Sequence, residues 1–115
     1  MSLCVLLGQE SSCLPDARML LYTMEERIGL GAATFYVSAQ GRFSAMARDC
    51  LRLLCTHYPH IRYSVVEEYE LRQLALHRAE LCLCCIDRTD DASYTLAARV
   101  RQRGASVVNL GKADI

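Results

Sequence analysis

Two kinds of hydrophobic pattern alternate along the chain. Short runs rich in apolar and β-branched residues are typical of strands. The runs at residues 2–8 and 81–87 are apolar at nearly every position, as in strands that are covered on both faces of a sheet. The pattern predicts five strands, at residues 2–8, 33–38, 61–67, 81–87 and 105–110.

Between these runs, apolar residues recur every three to four positions, which is the spacing of one face of a helix. The first such stripe, from Ala17 to Ile28, follows Pro15 and Asp16, which suit the first turn of a helix, and it stops at Gly29. The stripes predict four helices, at residues 17–28, 43–54, 69–80 and 91–104, and on the second helix Arg48, Asp49 and Arg52 are expected to point away from the apolar face.

Regular alternation of strands and helices predicts an α/β fold with right-handed crossovers. We expect a single domain over residues 1–115: a Rossmann-like three-layer sandwich with a five-stranded, mostly parallel sheet and helices on both faces. The loops that follow strands then gather at the carboxyl edge of the sheet, where a crevice forms at the point of strand-order reversal. These loops are residues 9–14, 39–42, 68–69 and 88–91.

The charge balance narrows the choice of partners. The chain has 13 basic and 13 acidic residues, so its net charge is zero and nothing draws it to DNA or to an anionic membrane. Hydrophobic residues make up 52% of this small chain, which favours a buried subunit interface. We therefore expect a homodimer that contacts neither DNA nor membrane.

The cysteine pattern favours reduced thiols. There are seven cysteines, an odd number, and most lie in apolar periodic segments rather than in loops. On a strand, Cys82 and Cys84 point to one face and Cys85 to the other, so their thiols do not converge on a metal ion. We predict no metal and no cofactor. The apolar run at the amino terminus is short and has no basic leader, and no stretch reaches the length of a membrane span, so a cytoplasmic location is expected.

The turn "SAQGRF", residues 38–43, joins the second strand to the second helix and is the first candidate site. A helix start offers free N–H groups to an anion, Gly41 permits close approach, and Arg42 suits a phosphate. An ordinary turn capped by Ser44 is the alternative. In the loop after the first strand, Gln9, Ser11 and Ser12 offer hydrogen-bonding groups, and Glu10 is a possible acid or base.

The loop after the fourth strand supplies the second candidate. Asp90 and Asp91 at a helix start suit sugar hydroxyls rather than phosphate, and a plain helix cap by Asp90 is the alternative. Phe43 or Tyr94 is expected to form an apolar or stacking wall. The predicted ligand-binding set is Gly8, Gln9, Glu10, Ser38, Gln40, Gly41, Arg42, Phe43, Ser44, Arg88, Thr89, Asp90, Asp91 and Tyr94.

The segments "TFYVSAQGRFSAMARDCLRLLCTHYPHIRYSVV" and "HRAELCLCCIDRTDDASYTLAARVRQRGASVVNLG" resemble the bacterial YpsA-like branch of the SLOG superfamily. The resemblance implies a Rossmann-like sheet that binds nucleotides or nucleotide-derived molecules at its carboxyl edge, often in dimers. Related phosphoribohydrolases carry a PGGxGT-type loop that this sequence lacks. The YpsA-like pattern usually has glycines after the fourth strand, where this chain has residues 88–91. It also usually has an acidic residue after the second-strand turn, where this chain has Ser44. No catalytic residue is therefore assigned.

The predicted function is binding of a nucleotide-derived small molecule, for sensing or sequestration. One alternative is a hydrolase that cleaves a glycosidic or phosphate bond of such a ligand, with Glu10 or an aspartate of the fourth loop activating water. The other is a structural or interaction dimer whose pocket has closed.

Overall fold

A computed structural model describes residues 2–8 and 14–115. Within them, the predicted order of strands and helices is confirmed. The strands are β1 (Ser2–Gly8), β2 (Ala32–Ser38), β3 (Arg62–Val66), β4 (Leu81–Cys85) and β5 (Ser106–Asn109). The helices are α1 (Ala17–Gly29), α2 (Arg42–His57), α3 (Glu68–His77) and α4 (Ala92–Gln102).

The five strands form one sheet in the order β3-β2-β1-β4-β5, and every pair is parallel. The sheet is thus wholly parallel, where the sequence predicted a mostly parallel one. Starting from β1, the chain adds β2 and β3 on one side of β1 and then adds β4 and β5 on its other side. The reversal lies between β1 and β4, which is where a sheet of this topology has a crevice at its carboxyl edge.

The two faces of the sheet are covered by different helices, which gives the three-layer Rossmann-like sandwich that was predicted. On one face, Leu6, Phe35 and Leu83 pack with the apolar stripes of α1 and α2. On the other face, Val5 and Leu7 pack with α3 and α4. Strand β4 is buried at every position because it is covered on both sides.

The cysteines of β4 alternate between the two faces as expected: Cys82 and Cys84 lie in one core, and Cys85 lies in the other. Free thiols are found at Cys4, Cys50, Cys55, Cys82 and Cys84, and burial raises the pKa of Cys4. Among the described residues, no three metal-binding side chains come together. None of the described helices combines the length and hydrophobicity needed to cross a membrane.

The third helix ends at His77, three residues earlier than predicted, because the chain turns there to join the sheet. The N–H of Ala79 bonds to the carbonyl of Leu74, and the N–H of Glu80 then bonds to the carbonyl of Leu3 in β1 (2.9 Å). Non-local pairing with β1 thus stops a segment that the sequence pattern would continue as a helix.

Asn109 fastens the end of β5 to the end of β4. Its Oδ1 accepts hydrogen bonds from the N–H groups of Ile86 (2.8 Å) and Gly111 (3.0 Å), and its Nδ2 donates to the carbonyls of Ile86 (2.9 Å) and Ala113 (2.7 Å). A Cβ at Gly111 would lie 2.4 Å from the Ile86 carbonyl oxygen, so the backbone needs glycine there. We call the "NLG" triplet, residues 109–111, the clasp, because it holds the end of β5 to the end of β4. Strand β4 ends at Cys85 rather than at residue 87 because the clasp binds Ile86.

Candidate functional site

A cavity of about 460 Å³ lies at the carboxyl edge of the sheet. It is bounded by the end of β1, the β2–α2 turn, the first turns of α3 and the start of α4. Its lining residues are Leu6, Gly8, Ser38, Gln40, Gly41, Arg42, Phe43, Ser44, Glu68, Leu71, Arg72, Asp91, Ala92 and Ser93. Two distant parts of the predicted set, the β2–α2 turn and Asp91, thus meet at one cavity.

The β2–α2 turn is held by hydrogen bonds at the end of β2. The Ser38 hydroxyl accepts from the N–H of Gln40 (3.1 Å), and the Ser38 carbonyl accepts from Nη1 of Arg48 (2.7 Å). Arg48, which was expected to lie off the apolar face of the second helix, thus supports the turn through its guanidinium. Gly41 has φ 95°, a left-handed conformation that favours glycine.

Within residues 2–8 and 14–115, no side chain compensates the amino end of α2. Its first intrahelical bond runs from the N–H of Ala45 to the carbonyl of Gly41 (3.0 Å), so the preceding N–H groups of α2 lack an intrahelical partner. No described side chain caps this helix, and its first turn contains no acidic residue. The predicted alternative, a cap by Ser44, is wrong because Gly41 occupies the cap position.

The other helices are compensated at their amino ends. Asp16 caps α1 by accepting from the N–H of Arg18 (2.8 Å), and Asp91 caps α4 by accepting from the N–H of Ser93 (2.6 Å). Helix α3 has no side-chain cap, but two glutamates lie in its first turn. The amino end of a helix attracts negative charge. The start of α2, which unlike the others has no compensating group among the described side chains, therefore suits an anion.

Ser44 and Phe43 have different roles at this helix start. Ser44 lines the cavity, is only 5% exposed, and its hydroxyl makes no hydrogen bond to any residue that the structure describes. Phe43 is 2% exposed, and a Cβ at Gly8 would lie 2.4 Å from its Cδ2. Phe43 therefore packs on β1 as an apolar part of the cavity lining, which is one of the two roles predicted for it, and its buried ring leaves no face for stacking.

The cavity carries charges of both signs. Arg42 on α2 and Arg72 on α3 line it, and neither forms an ion pair within residues 2–8 and 14–115. Two carboxylates, Glu68 and Asp91, also line it, and that of Asp91 is engaged as the α4 cap. The two arginines therefore keep free guanidinium donors for a ligand.

Three residues of the fourth loop do not line the cavity. Arg88 and Asp90 pair with each other through two hydrogen bonds (3.0 and 2.7 Å), on an exposed surface. This bonding and the charge of Arg88 lower the pKa of Asp90. The predicted sugar contact by Asp90 and the predicted sites at Arg88 and Thr89 are not at this cavity, because the Arg88–Asp90 pair folds the loop onto itself. Asp91, rather than Asp90, is the helix cap.

Tyr94 also lies apart from the cavity. Its hydroxyl donates to the carbonyl of Asp114 (3.2 Å), and its ring packs against the core beneath α3 and α4. The stacking role expected of Tyr94 is therefore wrong. Gln9 and Glu10, which were also predicted to bind ligand, lie outside the described residues, as do Ser11 and Ser12.

Sequence reasoning placed residues 68–69 at the carboxyl edge but missed the contribution of Leu71 and Arg72. Together with Glu68 they reach the cavity because α3 begins two residues after β3 ends, so its first turns lie at the sheet edge. The near absence of a loop between β3 and α3 was visible in the sequence. It indicated that residues of the helix, rather than of a loop, line this side of the cavity.

Comparison of the chain with protein-family models, curated proteins and solved structures finds no match.

Proposed function

We propose that this chain is a cytoplasmic, homodimeric binding protein for a nucleotide-derived small molecule, which it senses or sequesters. The observation that carries this proposal is the amino end of α2, where Gly41 occupies the cap position and no described side chain compensates the helix. This end opens into a cavity whose two arginines form no ion pair within the described residues. The resemblance of the β2–α2 segment to the YpsA-like branch points to the same class of ligand.

The anionic group of the ligand is proposed to sit at the start of α2. Free N–H groups and the helix dipole favour an anion there, by about 0.3–2 kcal/mol for the dipole alone. Charge-assisted hydrogen bonds from Arg42 and Arg72 and a bond from the Ser44 hydroxyl add to this preference. These donors come from two layers of the sandwich, so they contact the anion from two sides.

The uncharged part of the ligand is proposed to extend towards α4. Asp91, Ser93 and Glu68 present acceptors and a hydroxyl that suit ribose hydroxyls or the amino groups of a base. A volume of about 460 Å³ lies within the range of small-molecule pockets. The cavity therefore offers both basic groups and hydrogen-bond acceptors, as a nucleotide derivative requires.

The direct test is calorimetric titration with nucleoside mono- and diphosphates, ADP-ribose and cyclic nucleotides. We expect at least one compound to bind, and Arg42→Gln or Arg72→Gln to weaken its Kd by about tenfold or more, since each removes a charge-assisted bond. Arg52→Gln is the matched control, because Arg52 is exposed on α2 and pairs with Asp49 away from the cavity. Absence of heat and of thermal shift across the whole panel, or equal affinity in all three variants, would refute the proposal.

Hydrolysis of the bound ligand is the second candidate function, since the carboxylates of Glu68 and Asp91 face the same cavity as the arginines. Mass spectrometry of the ligand after incubation would detect cleavage of a glycosidic or phosphate bond. Glu68→Gln, Asp91→Asn and Glu10→Gln remove the candidate bases one at a time, and Asn at position 91 keeps the helix cap. Unchanged ligand after long incubation would leave binding alone.

A further inference from the structure

Strand β3 has one free edge. It pairs with β2 on one side, and no described strand pairs with its other side. Arg62, Ser64 and Val65 are exposed and no residue of β3 is buried, whereas every residue of β4 is buried. The outer N–H and C=O groups of β3 are thus available to another strand.

The usual protections of an edge strand are absent from β3. Its register with β2 is regular from the pair Thr34–Arg62 to the pair Ser38–Val66, with no bulge. The strand contains no proline and no lysine, and Arg62 is its only charged residue. Apolar surface lies beside the edge, since Val65 is 47% exposed and Tyr69 is 74% exposed.

We propose that β3 pairs antiparallel with β3 of a second copy of this chain, about a two-fold axis at Val65, so that the two sheets become continuous. In this register, residues equally distant from Val65 face each other. Arg62 then lies opposite Glu68 of the partner subunit, and Tyr63 lies opposite Glu67 of the partner subunit. The backbone of Glu67 is already extended (φ −68°, ψ 154°), which lengthens the strand towards α3.

Charge complementarity singles out a second copy as the occupant. Arg62 and Glu68 are both exposed, and neither has an ion pair within the described parts of the chain. Two-fold pairing brings these opposite charges together twice, and opposite charges across strands are stabilising. It also pairs Val65 with Val65 of the partner subunit, which removes both side chains from water. Because Glu68 also lines the cavity, the dimer is measured in the absence of ligand.

The test is a charge reversal followed by sedimentation equilibrium from micromolar to millimolar concentrations. We expect the wild-type chain to dimerise, and Arg62→Glu to raise the dimer Kd by about tenfold or more, because it faces each Glu68 with a like charge. Adding Glu68→Arg to Arg62→Glu restores the opposite charges and is expected to restore most of the affinity. Val65→Lys, at the axis, is expected to favour the monomer.

Arg52→Glu serves as the control, because Arg52 lies on the exposed surface of α2 beside Leu53 and outside the β3 edge. Circular dichroism spectra identical to wild type show that each variant is folded. A wild-type monomer at all concentrations would overturn the proposal. So would a dimer that survives Arg62→Glu but is weakened by Arg52→Glu, which would locate the interface on the α1–α2 face.

Discussion

Asn109→Ala is expected to destabilise the protein more than its half-exposed surroundings suggest. The substitution removes the side-chain hydrogen bonds to Ile86, Gly111 and Ala113. Gly111 and Ala113 are only half-buried, so water replaces part of what they lose. Ile86 is fully buried, and its N–H is left without a partner.

The magnitude follows from these bonds. A net contribution of about 1 kcal/mol per bond, with a further penalty for the orphaned buried N–H and some recovery through water, gives a loss of about 3 kcal/mol. At a urea m-value of about 1.5 kcal/mol/M, the unfolding midpoint falls by about 2 M with the m-value unchanged. Native-state hydrogen exchange at the Ile86 amide should accelerate as well.

Urea unfolding followed by circular dichroism measures this change. Gln102→Ala is the matched control, because it also truncates an amide side chain but at an exposed position near the end of α4, where an effect within about 0.5 kcal/mol is expected. An Asn109→Ala midpoint no lower than that of Gln102→Ala would show that the clasp does not hold β5 to β4.

Three other predictions concern the carboxyl edge. Gly8→Ala is expected to lower Tm, because the new Cβ meets the phenylalanine ring of α2, whereas Gly29→Ala, with open space around its Cβ, should not; differential scanning calorimetry compares them. Ser44→Asp should abolish the ligand binding expected in calorimetry, since a carboxylate then occupies the anion's place, while Ser44→Ala should weaken the affinity only about fivefold. Arg88→Gln should raise the lowered pKa of Asp90 towards its ordinary value in an NMR titration. In wild type, the contact between Arg88 and Asp90 stabilises the fold at pH values above the ordinary aspartate pKa. This stabilisation is lost as the pH falls through the lowered pKa of Asp90.

Local pattern was sufficient to predict the strands and helices. The runs of β1 and β4 and the stripe of α1 appear in the structure within a few residues of their predicted bounds. The errors are in the carboxyl ends of α3 and β4, where hydrogen bonds to residues distant in sequence decide where the element stops. Glu80 leaves the predicted third helix to bond with β1, and Ile86 leaves β4 to bond with Asn109.

The candidate site was predictable where it depends on neighbours in sequence. A glycine turn that enters a helix marked the β2–α2 junction, and the structure places that turn at the cavity. Arg72 was missed because its approach depends on how α3 lies against the sheet. Asp90 was misplaced because Arg88, two residues away, binds it outside the cavity.

The sequence alone predicts which segments are strands and helices, and that a glycine turn leads into α2, because hydrophobic period and turn composition act over a few residues. The tertiary fold was needed to show that Gly41, Arg72 and Asp91 line one cavity and that β3 lies at the sheet edge. Strand order is set by packing both faces of the sheet at once, and this depends on contacts between residues far apart in the chain.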